Sequence, residues 1–342
     1  MTSAHDKPRK LLRQILKFAL FFGLGVFIIW LFQRNLTPDE KTQIAESLKE
    51  ANWGMAVLII VFGVLSNVFR TLRWNLLFHP MGYRPRFGNT FMSVLVAYFA
   101  NLAIPRLGEV LRCTFMYRYE KVPVEKSLGT VVSERVIDIL TFLTLFLAAF
   151  FMEYRHLHDY VSDMFAQGME SRRGVMWIAV AVLAAAVLVL VAVTVYYRRR
   201  RNSLPEGHWM KKIASVFAGF SEGIMSLKHV RQPFWFAFHT VGLWFCYWIM
   251  LYFALHSLDA LSGTGGGIAL ITLVMGTVGN MITPGGIGLY PVIVSETLVL
   301  FGFPKVLGYT AGWISWGTQT LAIIIGGVAA LILLPLMNKE RK

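Results

Sequence analysis

The sequence predicts an all-α fold, a polytopic bundle of transmembrane helices with two re-entrant helical elements that form an inverted repeat. Three observations carry this. The 342 residues are 56% hydrophobic and only 15% charged, with a mean hydropathy of +0.56, so the bilayer is the main solvent. Uncharged runs recur at spanning length, as in Val175 to Tyr197 and Pro233 to Leu255; a crossing needs about 20 apolar residues for a hydrocarbon core of roughly 30 Å. The loops between the apolar runs alternate between basic and non-basic.

Taken in order, full spans are expected near 11–33, 52–69, 136–152, 175–197, 233–255 and 306–337, all within one integral membrane domain over 1–342. The first contains the apolar run Phe18 to Phe32, which follows Lys7, Arg9, Lys10, Arg13 and Lys17, in the manner of a secretory signal. Gln33-Arg34-Asn35 rather than a small-x-small cleavage site comes after it, which predicts an uncleaved helix.

Two apolar segments, 87–104 and 260–282, each run into a proline with the same lead-in, Asn101-Leu-Ala-Ile-Pro105 and Asn280-Met-Ile-Thr-Pro284. Proline removes a backbone donor and disfavours helix in the residue before it, so both helices break there. The uncharged run from Ala260 to Ser295 is too long for one helix and too short for two crossings and a turn.

Loop charge sets the orientation. The N-terminus, the 70–86 segment (Arg70, Arg73, Arg84, Arg86), the 198–231 segment and the C-terminal Lys339-Glu340-Arg341-Lys342 are basic, whereas 34–51 is acidic on balance and 256–266 has no base. The positive-inside rule places the first group, and both termini, in the cytosol. The arrangement closes only if 87–118 enters from the cytosol and returns there while 260–302 enters from outside and returns outside. Interrupted segments of opposite polarity point to a central binding site; unrelated proline kinks are the alternative.

The net charge of +14 is explained by cytosolic retention of the loops, so no nucleic-acid partner is expected. Arg198 to Arg201 read as an orientation signal with contacts to anionic lipid. Cys113 and Cys246 read as small packing residues. His156, His158 and Asp159 have no further ligand at useful spacing, and no metal is expected. His239 sits in an aromatic stretch typical of packing.

The densest polar cluster follows the first break: Arg106, Gly108, Glu109 and Arg112, then Glu134, Arg135 and Asp138 as the next span begins. Charges at membrane depth face a cavity or each other. They serve as ion pairs that pin the re-entrant helix, or as a guanidinium fork for an anionic headgroup, or both. The second break, Thr283-Pro284-Gly285-Gly286-Ile287-Gly288, opens a short helix whose free N–H groups suit a phosphate, or its glycines allow close packing. The two breaks are expected to meet near the bilayer midplane, with Asn101, Arg106, Glu109, Asn280 and Thr283 lining one cavity. An asparagine amide there replaces backbone bonds lost to proline.

At these residues the chain resembles the transmembrane domain of the lysylphosphatidylglycerol synthase/flippase family. The matching pieces are Arg70-x-x-Arg73-Trp74, Asn101-x-x-x-Pro105-Arg106-x-Gly108-Glu109-x-x-Arg112, Glu134-Arg135-x-x-Asp138 and Pro284-Gly285-Gly286-Ile287-Gly288. The resemblance implies transport of a lipid with a charged or glycosylated headgroup between leaflets, without a cofactor. It departs from the family in one place: an acidic residue is expected soon after the glycine-rich turn, whereas here Leu289-Tyr290 follow and the first acid is Glu296. The chain ends soon after its last span, leaving no room for the aminoacyl-transferase domain, so it is not expected to make lysyl-lipid. A membrane-embedded transferase on a lipid-linked sugar is the runner-up, although no Asp-x-Asp pair is present; a non-transporting scaffold is the third reading. No nucleotide-binding loop is present to couple ATP.

Overall fold

A computed structural model describes residues 26–34, 36–152 and 232–339, with Gly23 and Val230. The expected span at 175–197, most of 11–33, the Arg198 to Arg201 run and the His156, His158 and Asp159 group lie outside the described residues. The rest is helical. Among the described residues three helices are long and apolar enough to cross a membrane by length and composition, within Trp53–Met81, Pro233–His256 and Lys305–Leu336.

Helix α1 (Pro38–Glu50) occupies the segment expected as an acidic loop. It starts with a capping box: the Glu40 N–H donates to Thr37 Oγ1 at 3.2 Å and the Thr37 N–H to Glu40 Oε2 at 2.7 Å, satisfying two donors that a helix start leaves free. Those Thr37 hydrogen bonds hold the Glu40 carboxyl below its ordinary pKa.

Helix α2 (Trp53–Phe78) corrects the sequence reading. The expected span near 52–69 lies within it, but the helix continues, and Arg70 and Arg73 are buried helical residues rather than part of a basic loop. The connection shrinks to 79–86, where Arg84 and Arg86 remain. The two arginines stay helical because carboxylates from a distant segment meet them, as described below.

Then come α3 (Phe87–Ala103), α4 (Leu107–Glu120) and α5 (Val124–Met152). After the undescribed stretch follow α6 (Pro233–His256), α7 (Gly266–Ile282), α8 (Leu289–Leu300) and α9 (Lys305–Leu336). Both segments expected to turn back are helical hairpins: α3 packs on α4, and α7 on α8. Helices α2 and α6 pack along each other, α9 lies against α3, and α5 against α7. One apolar core gathers Ile59, Met250, Leu255, Val294 and Leu298; a second gathers Trp74, Phe78, Cys113 and Met116. Both cysteines are free and buried. The end of α9 is tied to the start of α3 by Asn338 Nδ2 donating to Asn89 Oδ1 at 2.8 Å.

Candidate functional site

The two breaks share a backbone solution. The residue after each proline is left-handed, Arg106 at φ 68, ψ 0 and Gly285 at φ 60, ψ 19. A glycine takes this region freely, whereas an arginine is strained there by roughly 1–2 kcal/mol. In the first break Asn101 Oδ1 accepts from the Gly108 N–H at 2.8 Å, satisfying a donor at the start of α4. In the second the Asn280 amide oxygen lies only 2.0 Å from where a Cβ on Gly286 would stand. The breaks are neighbours, since a Cβ on Gly285 would lie 2.7 Å from the Leu102 side chain.

Between α2, α3, α4 and α5 lies a narrow cleft with a free volume of about 10 Å³, room for a single water-sized group, lined by Arg70, Val94, Ala97, Tyr98, Asn101, Glu109, Arg112 and Arg135. This differs from the single cavity expected to serve both breaks. Asn280, Thr283, Gly285, Gly286 and Gly288 are outside this lining, and so is Arg106, which is exposed on the turn. Leu102 fills the space beside Gly285, the Trp316 indole N–H donates to the Gly285 carbonyl at 2.6 Å, and the Thr283 hydroxyl turns back to the Gly279 carbonyl.

Behind the cleft lies a charge cluster assembled from three helices. Glu134 of α5 is fully buried and receives three arginines: Arg70 Nη1 and Arg73 Nη2 reach Oε1 at 3.1 Å each, and Arg112 Nη2 lies 2.8 Å from Oε2. The last contact pairs charges outside hydrogen-bond geometry. One turn along α5, Asp138 takes Arg73 at 2.7 Å and Arg70 at 3.2 Å. Arg112 also lies over the Trp74 ring, 4.5 Å from its centroid, and the Trp74 N–H is held by Thr130 Oγ1 at 2.8 Å. Arg70 reaches the Tyr247 hydroxyl of α6 at 3.3 Å, which in turn contacts Tyr98.

Arg135 stands apart. Its side chain is 46% exposed and meets Glu109 Oε1 at 3.2 Å, with Asp138 at 3.9 Å. The second Glu109 oxygen is buried without a hydrogen bond. Of the residues singled out in the sequence, the structure brings together Asn101, Glu109, Arg112, Glu134, Arg135 and Asp138, and it adds Arg70, Arg73 and Tyr98 to the group; for the two arginines, their i, i+3 spacing at the end of an apolar run is the available signal.

A model of the lysylphosphatidylglycerol synthase transmembrane region matches residues 14–327. The chain belongs to that family. A UPF0104 membrane protein of Methanocaldococcus jannaschii is 31% identical over 115 residues, a match that covers 32% of this chain and 34% of the relative. No solved structure matches the chain.

Within this lysylphosphatidylglycerol synthase-type membrane domain the second hairpin has no counterpart of Arg106, Glu109 and Arg112; its one charged residue is Glu296. Where an acid was expected after the glycine-rich turn, Tyr290 is buried and its hydroxyl meets Ser315 Oγ of α9 at 3.1 Å, which also accepts from Gln319 at 3.0 Å. Ser315 and Gln319 stand four apart on α9, as Glu134 and Asp138 do on α5. Glu296 does not substitute for the missing acid, because it pairs with Lys305 at 2.7 Å with both side chains about half exposed.

Proposed function

We propose that the chain moves a lipid with an anionic or zwitterionic headgroup between the leaflets of the cytoplasmic membrane, without transforming it, both termini being cytosolic. The observation that carries this is the charge balance at the cleft. Arg70, Arg73, Arg112 and Arg135 face Glu109, Glu134 and Asp138, one positive charge in surplus beside a broken helix. Charge kept at membrane depth marks a substrate path, and guanidinium matches phosphate oxygens. The same reading takes α2, α3, α4 and α5 as an inverted repeat of α6, α7, α8 and α9. The packing of α3 on α9 then mirrors that of α7 on α5, and α2 on α3 mirrors α6 on α7.

The test is lipid movement in proteoliposomes. Fluorescent phosphatidylglycerol, phosphatidylethanolamine and an uncharged glycosyl-diacylglycerol are each supplied, and an impermeant reductant bleaches the probe in the outer leaflet. Phosphatidylglycerol is expected to cross well above the protein-free rate, and Arg135→Gln to slow it and weaken its salt dependence, as loss of an exposed charge does. Movement no faster than in protein-free vesicles would overturn the proposal, as would a lipid product of altered mass.

A further inference from the structure

We propose that Glu109 is a built-in stand-in for the ligand's anion: its carboxylate occupies the place of a phosphodiester in the cleft, and Arg135 exchanges between the two. The inference rests on the transport reading for its physiological ligand, but not for the exchange itself.

Three of the four arginines cannot take part in an exchange. Arg70 and Arg73 each hold both Glu134 and Asp138. Arg112 is clamped between Glu134 and the Trp74 face. Their side chains are at most 5% exposed, and their shared partner Glu134 is fully buried. Arg135 has an exposed guanidinium and only one close carboxylate oxygen. Its partner Glu109 leaves one oxygen buried without a hydrogen bond, although Asn101, Arg112 and Arg135 line the same cleft. A buried acceptor with an open valence is costly; Glu134 Oε2 also lacks a hydrogen bond, but it has Arg112 at 2.8 Å as a charge partner, whereas the ion pair of Glu109 is on its other oxygen.

Exchange follows from competition for one guanidinium fork. With Glu109 in place, the cluster carries a single surplus positive charge. A phosphodiester brings one negative charge and two free oxygens, enough for the Arg135 fork to bind side by side. The Arg135 fork already holds Glu109 Oε1 and the cleft has room for only a water-sized group, so a phosphodiester that takes the fork displaces Glu109 from it. The Glu109–Arg135 pair is also a bridge from α4 to α5. Its release on binding frees the start of α4, next to the left-handed turn at Arg106, to shift against α5. Ligand occupancy is thereby coupled to movement of the first hairpin.

Binding measured on the purified full chain in nanodiscs of neutral lipid tests this. The probes are a fluorescent short-chain phosphatidylglycerol, glycerophosphoglycerol without acyl chains, and inorganic phosphate. Glu109→Gln keeps the size and hydrogen bonds of the side chain and removes its charge. The expected result is tighter binding of the phosphatidylglycerol probe by about tenfold or more, with Arg135→Gln weakening it and Arg135→Lys restoring part of the loss. Tightening shared by all three probes assigns the site to the phosphate group alone; tightening confined to the acylated probe assigns it to a lipid headgroup. Unchanged or weaker binding in a monodisperse Glu109→Gln variant overturns the exchange. The transport reading fails separately, when the parent protein moves no lipid in vesicles while Glu109→Gln still tightens binding.

Discussion

Glu134→Ala is expected to cost the bundle more stability than any other single change in the described residues, about 3–5 kcal/mol, the range for breaking a buried ion pair from one side. Its carboxylate is the shared partner of Arg70, Arg73 and Arg112, so its loss strands three guanidinium groups from α2 and α4. Asp138 compensates only Arg70 and Arg73. Glu134→Gln should fall between the two, since its amide oxygen still accepts. The measurement is the thermal midpoint of the detergent-solubilised protein, followed by size exclusion. A Glu134→Ala variant as stable as its parent would show that the cluster does not hold the helices together. Arg112→Ala, an obvious probe of a headgroup site, suffers from the same coupling, because it removes the Glu134 partner and the Trp74 contact together. Arg135 and Glu109 are the separable pair.

Gly108→Ala is expected to open the first hairpin. A Cβ there would lie 2.0 Å from the Ala97 carbonyl oxygen and 2.6 Å from its carbon, backbone atoms that can yield only if α3 and α4 separate. That separation lengthens the 2.8 Å bond from Gly108 N–H to Asn101 and widens the cleft, since Ala97, Asn101 and Glu109 all line it. Overpacking of this kind costs about 1–3 kcal/mol, against a gain of about 1 kcal/mol in helix propensity for alanine. Gly129→Ala in α5 is the matched control, because a Cβ there meets nothing within 4 Å. Its thermal midpoint should hold or rise while that of Gly108→Ala falls, and equal midpoints would contradict the close approach of α3 and α4.

Features encoded locally were the legible ones. Asn101-x-x-x-Pro105 and Asn280-x-x-x-Pro284 announce their breaks because proline acts on its own neighbours, and Glu109, Arg112, Glu134, Arg135 and Asp138 stand out against apolar surroundings. Arg70 and Arg73 were assigned to a loop because the carboxylate that keeps them helical and buried lies 64 and 61 residues away, beyond any local pattern. Helix α1 was missed although Thr37-Pro38-Asp39-Glu40 is a readable start signal; the polar content of 34–51 outweighed it. The neutral chain of Tyr290, Ser315 and Gln319 could not be found from residue type, since none differs from ordinary packing until the hydroxyls are seen to meet.

The central claim is that the cleft behind the first break receives an anionic headgroup, and the measurement that tests it most directly is photo-crosslinking. Phosphatidylglycerol bearing a photoreactive group on its headgroup is incorporated with the protein in vesicles, irradiated, and the adducts are mapped by mass spectrometry of proteolytic fragments. The account predicts adducts concentrated on the cleft faces of α3, α4 and α5, around Tyr98, Asn101, Glu109 and Arg135, and reduced by Arg135→Gln. Adducts confined to the outward faces of α2 and α9, and indifferent to Arg135, would contradict it.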